Sequence, residues 1–175
     1  LENIDTQIPS FEAYKAAIAT RPTMMYTMSH EGLLHAFHLN KDTTNSPTGT
    51  KWLEETWAIA PQYTLERMVE LTDSYQTLMD GRLVLKDIRL QRSAADITTA
   101  QELTQWRSIV VVPYRQGGRG MFAVDVTDPF SPFIRWEISN ERRCWLDEGS
   151  SIVQCRRFDE GEEHDYRNLG FTHAK

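Results

Sequence analysis

The stretch of sequence that decides the fold is residues 117–129, which read GGRGMFAVDVTDP. It follows the apolar run 108–112 and precedes a tryptophan at position 136. Two β-rich runs on either side of a glycine cluster are typical of a β-hairpin whose turn contains residues with positive φ. The cluster lacks the Lys-Ser/Thr ending of a phosphate-binding loop and leads into a strand, which argues against an anion site.

The same pattern occurs a second time, upstream in the chain. Residues 24–40 read MMYTMSHEGLLHAFHLN, with a glycine turn between two β-rich runs. Each copy carries an alanine in its second strand, at Ala36 or Ala123, and ends on a tryptophan, Trp57 or Trp136. Repeated hairpins of this kind are typical of radial all-β folds, because one such sheet cannot bury both of its faces alone.

We therefore expect an all-β fold with short helical insertions, forming part of a β-propeller. The chain would supply about two blades of a larger propeller and would belong entirely to that one domain, residues 1–175. We predict that the two hairpins lie in neighbouring four-stranded sheets, with Trp57 and Trp136 packed at equivalent places. Blade-like units are expected at about 21–90 and 106–140, a decorated loop at 140–168, and the start of a next blade at 169–175.

Two helical insertions are predicted from apolar spacing. Residues 10–19 place apolar side chains on one face of a helix that ends before Pro22. Residues 63–71 follow Pro61 and predict a second helix, packed over a sheet as an insertion. Its expected cap is Thr64, and its expected buried face carries the apolar side chains Leu65, Met68, Val69 and Leu71.

Composition excludes some classes of function. The net charge is -6 and the isoelectric point is about 5.4, which argues against nucleic-acid binding because that requires a clustered basic surface. No apolar stretch approaches the ~20 residues of a membrane span, and no signal peptide begins the chain. Since the first residue is Leu1, we interpret the chain as a processed product or an excised fragment.

Cys144 and Cys155 are the two cysteines of the chain, and both lie in a polar segment. Their spacing does not suit a zinc site. In an oxidising compartment they would form a local disulfide, whereas in a reducing one they would be two free thiols. We predict the disulfide for an exported protein.

Two pairs of side chains invite a chemical interpretation. His35 and His38 could be metal ligands on one strand face, but packing or hydrogen bonding within a blade is the favoured interpretation. Asp125 and Asp128 could form a catalytic carboxylate pair. For them we favour a structural role, in which the carboxylates satisfy backbone donors at the strand exit.

Several motifs occur in an order that resembles the C-terminal propeller of PilY/PilC-type pilus-tip proteins. They are GLLHAF at 32–37, WAIAP at 57–61, DG at 80–81, WRS at 106–108 and GGRGMFAVDVTDP at 117–129. The resemblance covers roughly residues 11–138, with a trace at 169–172. It implies a secreted, non-enzymatic factor that supports type IV pilus assembly, adhesion or surface sensing.

The resemblance also implies partners and a location. The partners would be pilus-tip components such as minor pilins, and a host or abiotic surface. The location would be the pilus tip at the cell surface, the outer membrane or the periplasm. The calcium loop of the family lies further along the propeller and has no counterpart here, so we expect no cofactor or metal in this chain.

The alternatives are a fragment of a quinoprotein dehydrogenase, whose blades are similar, and a generic propeller scaffold. The tryptophans resemble the docking pattern of quinoprotein blades, but the chain carries no set of Glu, Asn and Asp ligands for a quinone and calcium.

For a protein-binding module, the contact surface would be the loop 140–168, whose alternative interpretation is a solvated decoration. The candidate contact residues are Arg142, Arg143, Arg156 and Arg157.

Overall fold

The structure is a computed structural model that describes residues 9–39, 52–90, 105–147, 152–159, 163–166 and 169. The described residues are mostly β, as the all-β prediction requires. In chain order, the elements are α1 (Pro9–Ile18), β1 (Met24–Met28), β2 (Leu34–His38), β3 (Glu55–Ile59), α2 (Gln62–Arg67), a 3₁₀ helix (Met68–Thr72), β4 (Val84–Arg89), β5 (Trp106–Pro113), a second 3₁₀ helix (Arg115–Gly117), β6 (Gly120–Asp125), β7 (Phe133–Ser139), β8 (Arg142–Asp147) and β9 (Ile152–Arg157).

The strands form two antiparallel sheets. The first sheet has the order β1-β2-β3, and the second has the order β4-β5-β6-β7-β8-β9. Each strand therefore pairs with its neighbour in sequence, as in a meander. The prediction that the two hairpins lie in separate sheets is confirmed, since β1–β2 and β5–β6 belong to different sheets.

The internal repeat is visible in the strand register. Ala36 pairs with Trp57, and Ala123 pairs with Trp136. In both sheets the register shifts immediately after the alanine, between Ala36 and Phe37 and between Ala123 and Val124. The two copies thus share a cross-strand pair and a bulge, which re-aims the following side chains in the same way.

Among the described residues, the prediction of four strands in each sheet is wrong, because the first sheet has three strands there and the second has six. β4 was assigned to the first unit, at 21–90, but it pairs with β5 of the second sheet. Neither sheet closes on itself among the described residues, so the propeller and its blade-like units stay predictions. Of the next blade expected at 169–175, only Leu169 lies within the described residues.

The segment 140–168 is not the decorated loop that its composition predicted. It contains the hairpin β8–β9, which extends the second sheet by two strands. Arginines occupy both faces of these strands, so the alternation between apolar and polar residues that identifies a half-buried strand is hidden. Pairing with β7 nevertheless supplies the backbone hydrogen bonds that a strand requires.

The core lies between the two sheets. One face of the first sheet packs against β5 and β6 of the second, and helix α2 closes the end of this layer through Tyr63. Partly buried side chains, among them Trp57 and Ile134, complete it. The fully or nearly fully buried members are Leu34, Tyr63, Met79, Val110, Val112, Tyr114, Phe122, Val124 and Val126.

Helix α2 buries a different face from the one predicted. Tyr63 and Thr64 are buried, whereas Leu65 is 53% exposed and Val69 is 68% exposed. The Thr64 hydroxyl donates to the Gly32 carbonyl at 2.9 Å, and the Tyr63 ring stacks on another tyrosine, so these two contacts set the rotation of the helix. The prediction that Leu65 and Val69 are buried is therefore wrong.

Candidate contact surface

The hairpin β8–β9 separates the four arginines predicted to contact a partner into two pairs. Arg142 lies opposite Arg157 in register, and Arg143 lies opposite Arg156. Since side chains alternate between the faces of a sheet, the two pairs point to opposite faces. Only one pair can serve a contact on a given face of the hairpin.

Arg142 and Arg157 bind the same carboxylate within the chain. Arg142 donates through Nη1 to Glu66 Oε1 at 2.8 Å and through Nη2 to Glu66 Oε2, and Arg157 donates to Oε2 at 2.9 Å. Gln62, one turn earlier in α2, donates to Glu66 Oε1 at a distance of 3.0 Å. These bonds, mainly those of Arg142, lower the pKa of Glu66 to about 2. This arginine pair fastens the hairpin to α2.

We expect Glu66→Gln to release the hairpin from α2, because the bidentate ion pair is lost. The pKa of Glu66 is lowered from 4.5 to about 2. The stabilisation of the folded state by the ionised carboxylate is therefore present above pH 4.5 and disappears as the pH falls from 4.5 towards 2. The protection of residues 142–157 against hydrogen exchange, relative to the intrinsic exchange rate at the same pH, should fall in Glu66→Gln at pH 7, and in the wild type over that acidic interval. Glu70→Gln, in the 3₁₀ helix that follows α2, is the control; equal protection of residues 142–157 in both variants would contradict the assignment.

Arg143 and Arg156 lie on the other face. Arg143 lies over the Trp145 ring, 5.3 Å from its centroid, and Arg156 lies 6.0 Å from the centroid of Phe158. This face borders a cleft of about 440 Å³. The cleft is lined by Ile88, Leu90, Ile109, Arg135, Trp136, Ile138, Arg143, Trp145, Leu146 and Tyr166.

Cys144 and Cys155 lie directly opposite each other in β8 and β9 and are joined by a disulfide with an S–S distance of 2.04 Å. Cys144 is buried and Cys155 is exposed. The Cα–Cα distance of 4.1 Å identifies a pair that does not exchange backbone hydrogen bonds. The disulfide therefore links β9 to β8 at a position between two pairs of backbone hydrogen bonds.

Replacing both Cys144 and Cys155 by serine should lower the free energy of unfolding by about 2 kcal/mol, because the unfolded chain regains the freedom of an 11-residue separation. Urea denaturation measures the loss. Intact mass after alkylation, with and without reduction, reports the bond itself. Two thiols alkylated in native exported protein would show that the bridge does not form.

A buried carboxylate that sequence reasoning missed joins the sheets to α2. Glu137 accepts hydrogen bonds from the backbone N–H of Gln62 at 3.0 Å, the backbone N–H of Tyr63 at 2.8 Å and the Tyr114 hydroxyl at 2.7 Å. Burial raises the pKa of Glu137 and also raises the pKa of Tyr114. The position of Glu137 between two apolar residues of a strand was the available signal. Its role is to hold the N-terminus of α2 on the second sheet.

A second polar cluster joins α1 and the Arg21 segment to the second sheet. The Ser108 hydroxyl donates to Asp87 at 2.6 Å. The Ser108 oxygen in turn accepts a hydrogen bond from the Arg21 guanidinium at 2.9 Å. The Tyr14 hydroxyl lies 2.9 Å from the same oxygen. Arg21 also donates to the Thr127 carbonyl at 3.1 Å, in the middle of the DVTDP motif just after β6. The cluster therefore ties the N-terminal helix to the strand exit.

The structural role proposed for the two aspartates is confirmed. Asp125 accepts a hydrogen bond from the backbone N–H of Thr127, and Asp128 accepts one from that of Phe130, both at 3.0 Å. These are local turns in which a side chain replaces a backbone partner. Asp125 is buried and Asp128 is exposed.

His35 and His38 do not share a strand face. His38 is fully buried, whereas His35 lies on the opposite, partly exposed face, 3.2 Å from Glu55. Side chains of a strand alternate with a period of two residues, so residues three apart lie on opposite faces. The prediction that His35 and His38 share a face is therefore wrong. Within the described ranges, no group of three or more His, Cys, Asp and Glu side chains could hold a metal ion.

The glycine cluster forms a turn pressed against its neighbours. A Cβ atom at Gly117 would lie 1.8 Å from the Leu78 carbonyl oxygen, and one at Gly118 would lie 2.5 Å from the Tyr63 ring. The turn therefore packs on the segment that follows α2, without a cavity for an anion at these two positions. In the described part of the chain, no helix is long and apolar enough to cross a membrane.

Comparison with known proteins identifies relatives of this chain. A PilY1 homolog from Xylella fastidiosa, named a type IV pilus biogenesis factor, is 32% identical over 135 residues, which are 75% of this chain and 9% of that protein. PilY1 from Pseudomonas aeruginosa strain PAO1, also a type IV pilus biogenesis factor, is 27% identical over 135 residues, 74% of this chain and 10% of that protein.

No family model matches the chain. Among solved structures, the C-terminal domain of Pseudomonas aeruginosa PilY1 is 29% identical, with a TM-score of 0.47, over 75% of this chain and 22% of that one. The chain spans about a tenth of the length of the curated relatives it matches. Over three quarters of its length, it is a homologue of the PilY1 type IV pilus biogenesis factors.

Proposed function

We propose that this chain is a non-enzymatic module of a PilY1-like protein and supports type IV pilus assembly through protein–protein contacts. The observation that carries the proposal is homology to PilY1 proteins over three quarters of the chain. The polar clusters support it. The carboxylates of Glu66, Glu137, Asp125 and Asp128 accept hydrogen bonds within the fold, and such groups hold elements together instead of converging on a substrate.

We also propose that the two sheets are neighbouring blades of a propeller. The shared register of their alanine–tryptophan pairs supports a repeated unit. The parent protein would act at the pilus tip, the outer membrane or the periplasm, with minor pilins as partners. Adhesion to a host or abiotic surface, or sensing of that surface, would follow from the same location.

The contact surface we propose is the outer strand β9. It forms an edge among the described strands, and its six residues are exposed. Ile152 and Val153 are 61% and 44% exposed, so this edge offers apolar side chains beside backbone groups that can pair with another strand. Arg156 and Arg157 both add positive charge to the strand, and Arg157 also binds Glu66.

The register of the disulfide identifies which backbone groups of β9 face outward. Because Cys144 and Cys155 form a pair without backbone hydrogen bonds, the N–H groups of Val153, Cys155 and Arg157 point away from β8. Proline at position 153 would remove an outward donor and leave the pairing with β8 intact. Strand addition by a partner would then lose a hydrogen bond.

The test compares Val153→Pro with Val153→Ala in the full-length protein. Both variants remove the valine side chain, and only the proline removes the donor. We expect reduced piliation and surface attachment for Val153→Pro, with Val153→Ala near the wild type. Normal piliation and attachment for Val153→Pro would exclude β9 as the contact edge, and normal values after deletion of residues 9–169 would exclude the pilus role.

The non-enzymatic part of the proposal has a separate test. Purified full-length protein should show no turnover of alcohols or sugars when it is supplied with a quinone cofactor, calcium and an artificial electron acceptor. A known quinoprotein dehydrogenase serves as the positive control. Cofactor-dependent turnover would favour the dehydrogenase alternative.

A further inference from the structure

Helix α2 and the segment that follows it expose large apolar side chains. Tyr75 is 75% exposed and Val69 is 68% exposed, the two highest values among the large apolar residues that the structure describes. Leu65, one helical turn before Val69, is 53% exposed and lies on the same side of the helical segment. None of the three belongs to the core cluster. They form an apolar surface on the side of α2 that faces away from the sheets.

Tyr75 is held in place although its ring is exposed. Its hydroxyl lies 2.8 Å from His30 Nδ1, in the turn between β1 and β2. The backbone N–H of Leu78 donates to the His30 carbonyl at 2.8 Å, and Leu78 itself is fully buried. The segment 75–78 is therefore fastened to this turn at two points. An aromatic side chain that is ordered before binding loses little conformational entropy when a partner covers it.

Helix α2 is fastened to the same turn. The hydrogen bond from the Thr64 hydroxyl to the Gly32 carbonyl joins them, and a Cβ atom at Gly32 would lie only 2.8 Å from the Thr64 Cβ. The turn 29–32, α2 and the segment 75–78 thus form one assembly. The term α2 surface is used below for its exposed side chains, which are His30, Glu31, Leu65, Val69, Asp73 and Tyr75.

The α2 surface carries negative charge that is not neutralised within the fold. Glu31 follows His30 in the turn, and Asp73 precedes Tyr75 by two residues. Within the residues that the structure describes, neither carboxylate forms an ion pair or a hydrogen bond. Glu66 of the same helix, in contrast, is already bound by two arginines. Carboxylates beside an exposed aromatic ring attract a cation, and they repel nucleic acid and anionic lipid.

We propose that the α2 surface binds a short basic and apolar segment of another protein. A lysine or arginine of that segment would lie over the Tyr75 ring, near Glu31 and Asp73. Its apolar side chains would cover Leu65 and Val69. The surface lies on a different element from β9, so the proposal holds whether or not β9 pairs with a partner strand and whether or not the protein supports piliation.

The test uses synthetic peptides and the full-length protein. The probe is a labelled helical peptide of leucine, arginine and alanine, and its binding is followed by fluorescence anisotropy. Two comparison peptides replace either every arginine by glutamate or every leucine by serine. We expect both to bind at least roughly tenfold more weakly than the probe, because each lacks one half of the required chemistry. Binding of the probe should weaken between about 0.05 M and about 0.5 M sodium chloride.

Variants of the protein locate the binding site. Tyr75→Ala should weaken binding of the probe at least roughly tenfold, whereas Tyr75→Phe, which keeps the ring and loses the contact with His30, should have a smaller effect. Combining Glu31→Gln with Asp73→Asn should weaken binding and reduce its dependence on salt. Leu85→Ala is the matched control, because Leu85 is 51% exposed and lies on β4, and it should leave the affinity unchanged.

Four results would overturn the proposal. Equal binding of the three peptides would show that the interaction has no specificity, and an affinity unchanged in Tyr75→Ala would place the binding elsewhere. In native full-length Val69→Cys, a thiol at 69 that a maleimide labels only after denaturation would show that another part of the parent protein covers the surface. A full-length dimer that Tyr75→Ala dissociates, as measured by analytical ultracentrifugation, would identify the occupant as a second copy.

Discussion

Replacing Glu137 by alanine should lower the free energy of unfolding by about 3–5 kcal/mol. The carboxylate is buried and accepts three hydrogen bonds, from the backbone of Gln62, the backbone of Tyr63 and the Tyr114 hydroxyl. Alanine would leave these donors without their acceptor in a site that water does not reach, and it would also leave a cavity. Urea denaturation, followed by tryptophan fluorescence, measures the loss.

Glu137→Gln and Glu55→Gln serve as the comparison variants. Glutamine keeps the volume and one acceptor oxygen at position 137, so its cost should be smaller than that of alanine. Glu55, which lies at the surface with 44% of its side chain exposed, should tolerate the change with little effect. A denaturation midpoint of Glu137→Ala equal to that of Glu55→Gln would contradict the proposed role of Glu137.

The pH dependence has a definite sign at this position. Burial raises the pKa of Glu137 above 4.5, so the folded state holds the proton more tightly than the unfolded state. The contribution of protonated Glu137 to the free energy of unfolding is complete below pH 4.5 and is lost as the pH rises through the raised pKa. The advantage of the wild type over Glu137→Gln should therefore decrease across that interval. An advantage that increases with pH would contradict the burial effect.

The second large effect is expected for Gly117→Ala, which should lower the free energy of unfolding by about 3 kcal/mol. The new methyl group would lie 1.8 Å from the Leu78 carbonyl oxygen, and backbone atoms cannot rotate away as a flexible side chain can. The Gly117 carbonyl also accepts a hydrogen bond from Arg67, so a shifted turn would disturb the C-terminal end of α2. Thermal and urea unfolding measure the change.

Gln116→Ala is the matched control, because this exposed side chain precedes the glycine in the same turn. Its backbone N–H donates to Asp80 at 2.8 Å, and alanine keeps that bond. We expect the control to remain within about 0.5 kcal/mol of the wild type. A similarly small effect for Gly117→Ala would show that the turn moves freely away from Leu78.

The repeat of hairpins was predictable from the sequence because its signals are local. A glycine turn between β-rich runs specifies a hairpin, and the matching positions of Ala36 and Ala123, with Trp57 and Trp136, specify that the hairpin occurs twice. Asp125 and Asp128 bond backbone groups two residues away, so their structural role also follows from short-range chemistry.

The strands β8 and β9 were missed because their stability depends on a neighbour. Arginines on both faces hide the alternation, and only pairing with β7 and the ion pairs of Glu66 with Arg142 and Arg157 explain why this polar segment is extended. The same dependence on distant partners hid the buried side of α2, which is fixed by contacts of Tyr63 with Tyr114 and of Thr64 with Gly32.

The sequence by itself determined the hairpins, their turns and their repetition, since these follow from backbone preferences and from contacts between residues near each other in the chain. Only the tertiary structure decided the number of strands in each sheet, the ion pair of Arg142 with Glu66 of α2 and the burial of Glu137. Those features depend on desolvation and hydrogen bonding between residues 74 to 76 positions apart. Local residue preferences do not encode which distant groups will meet.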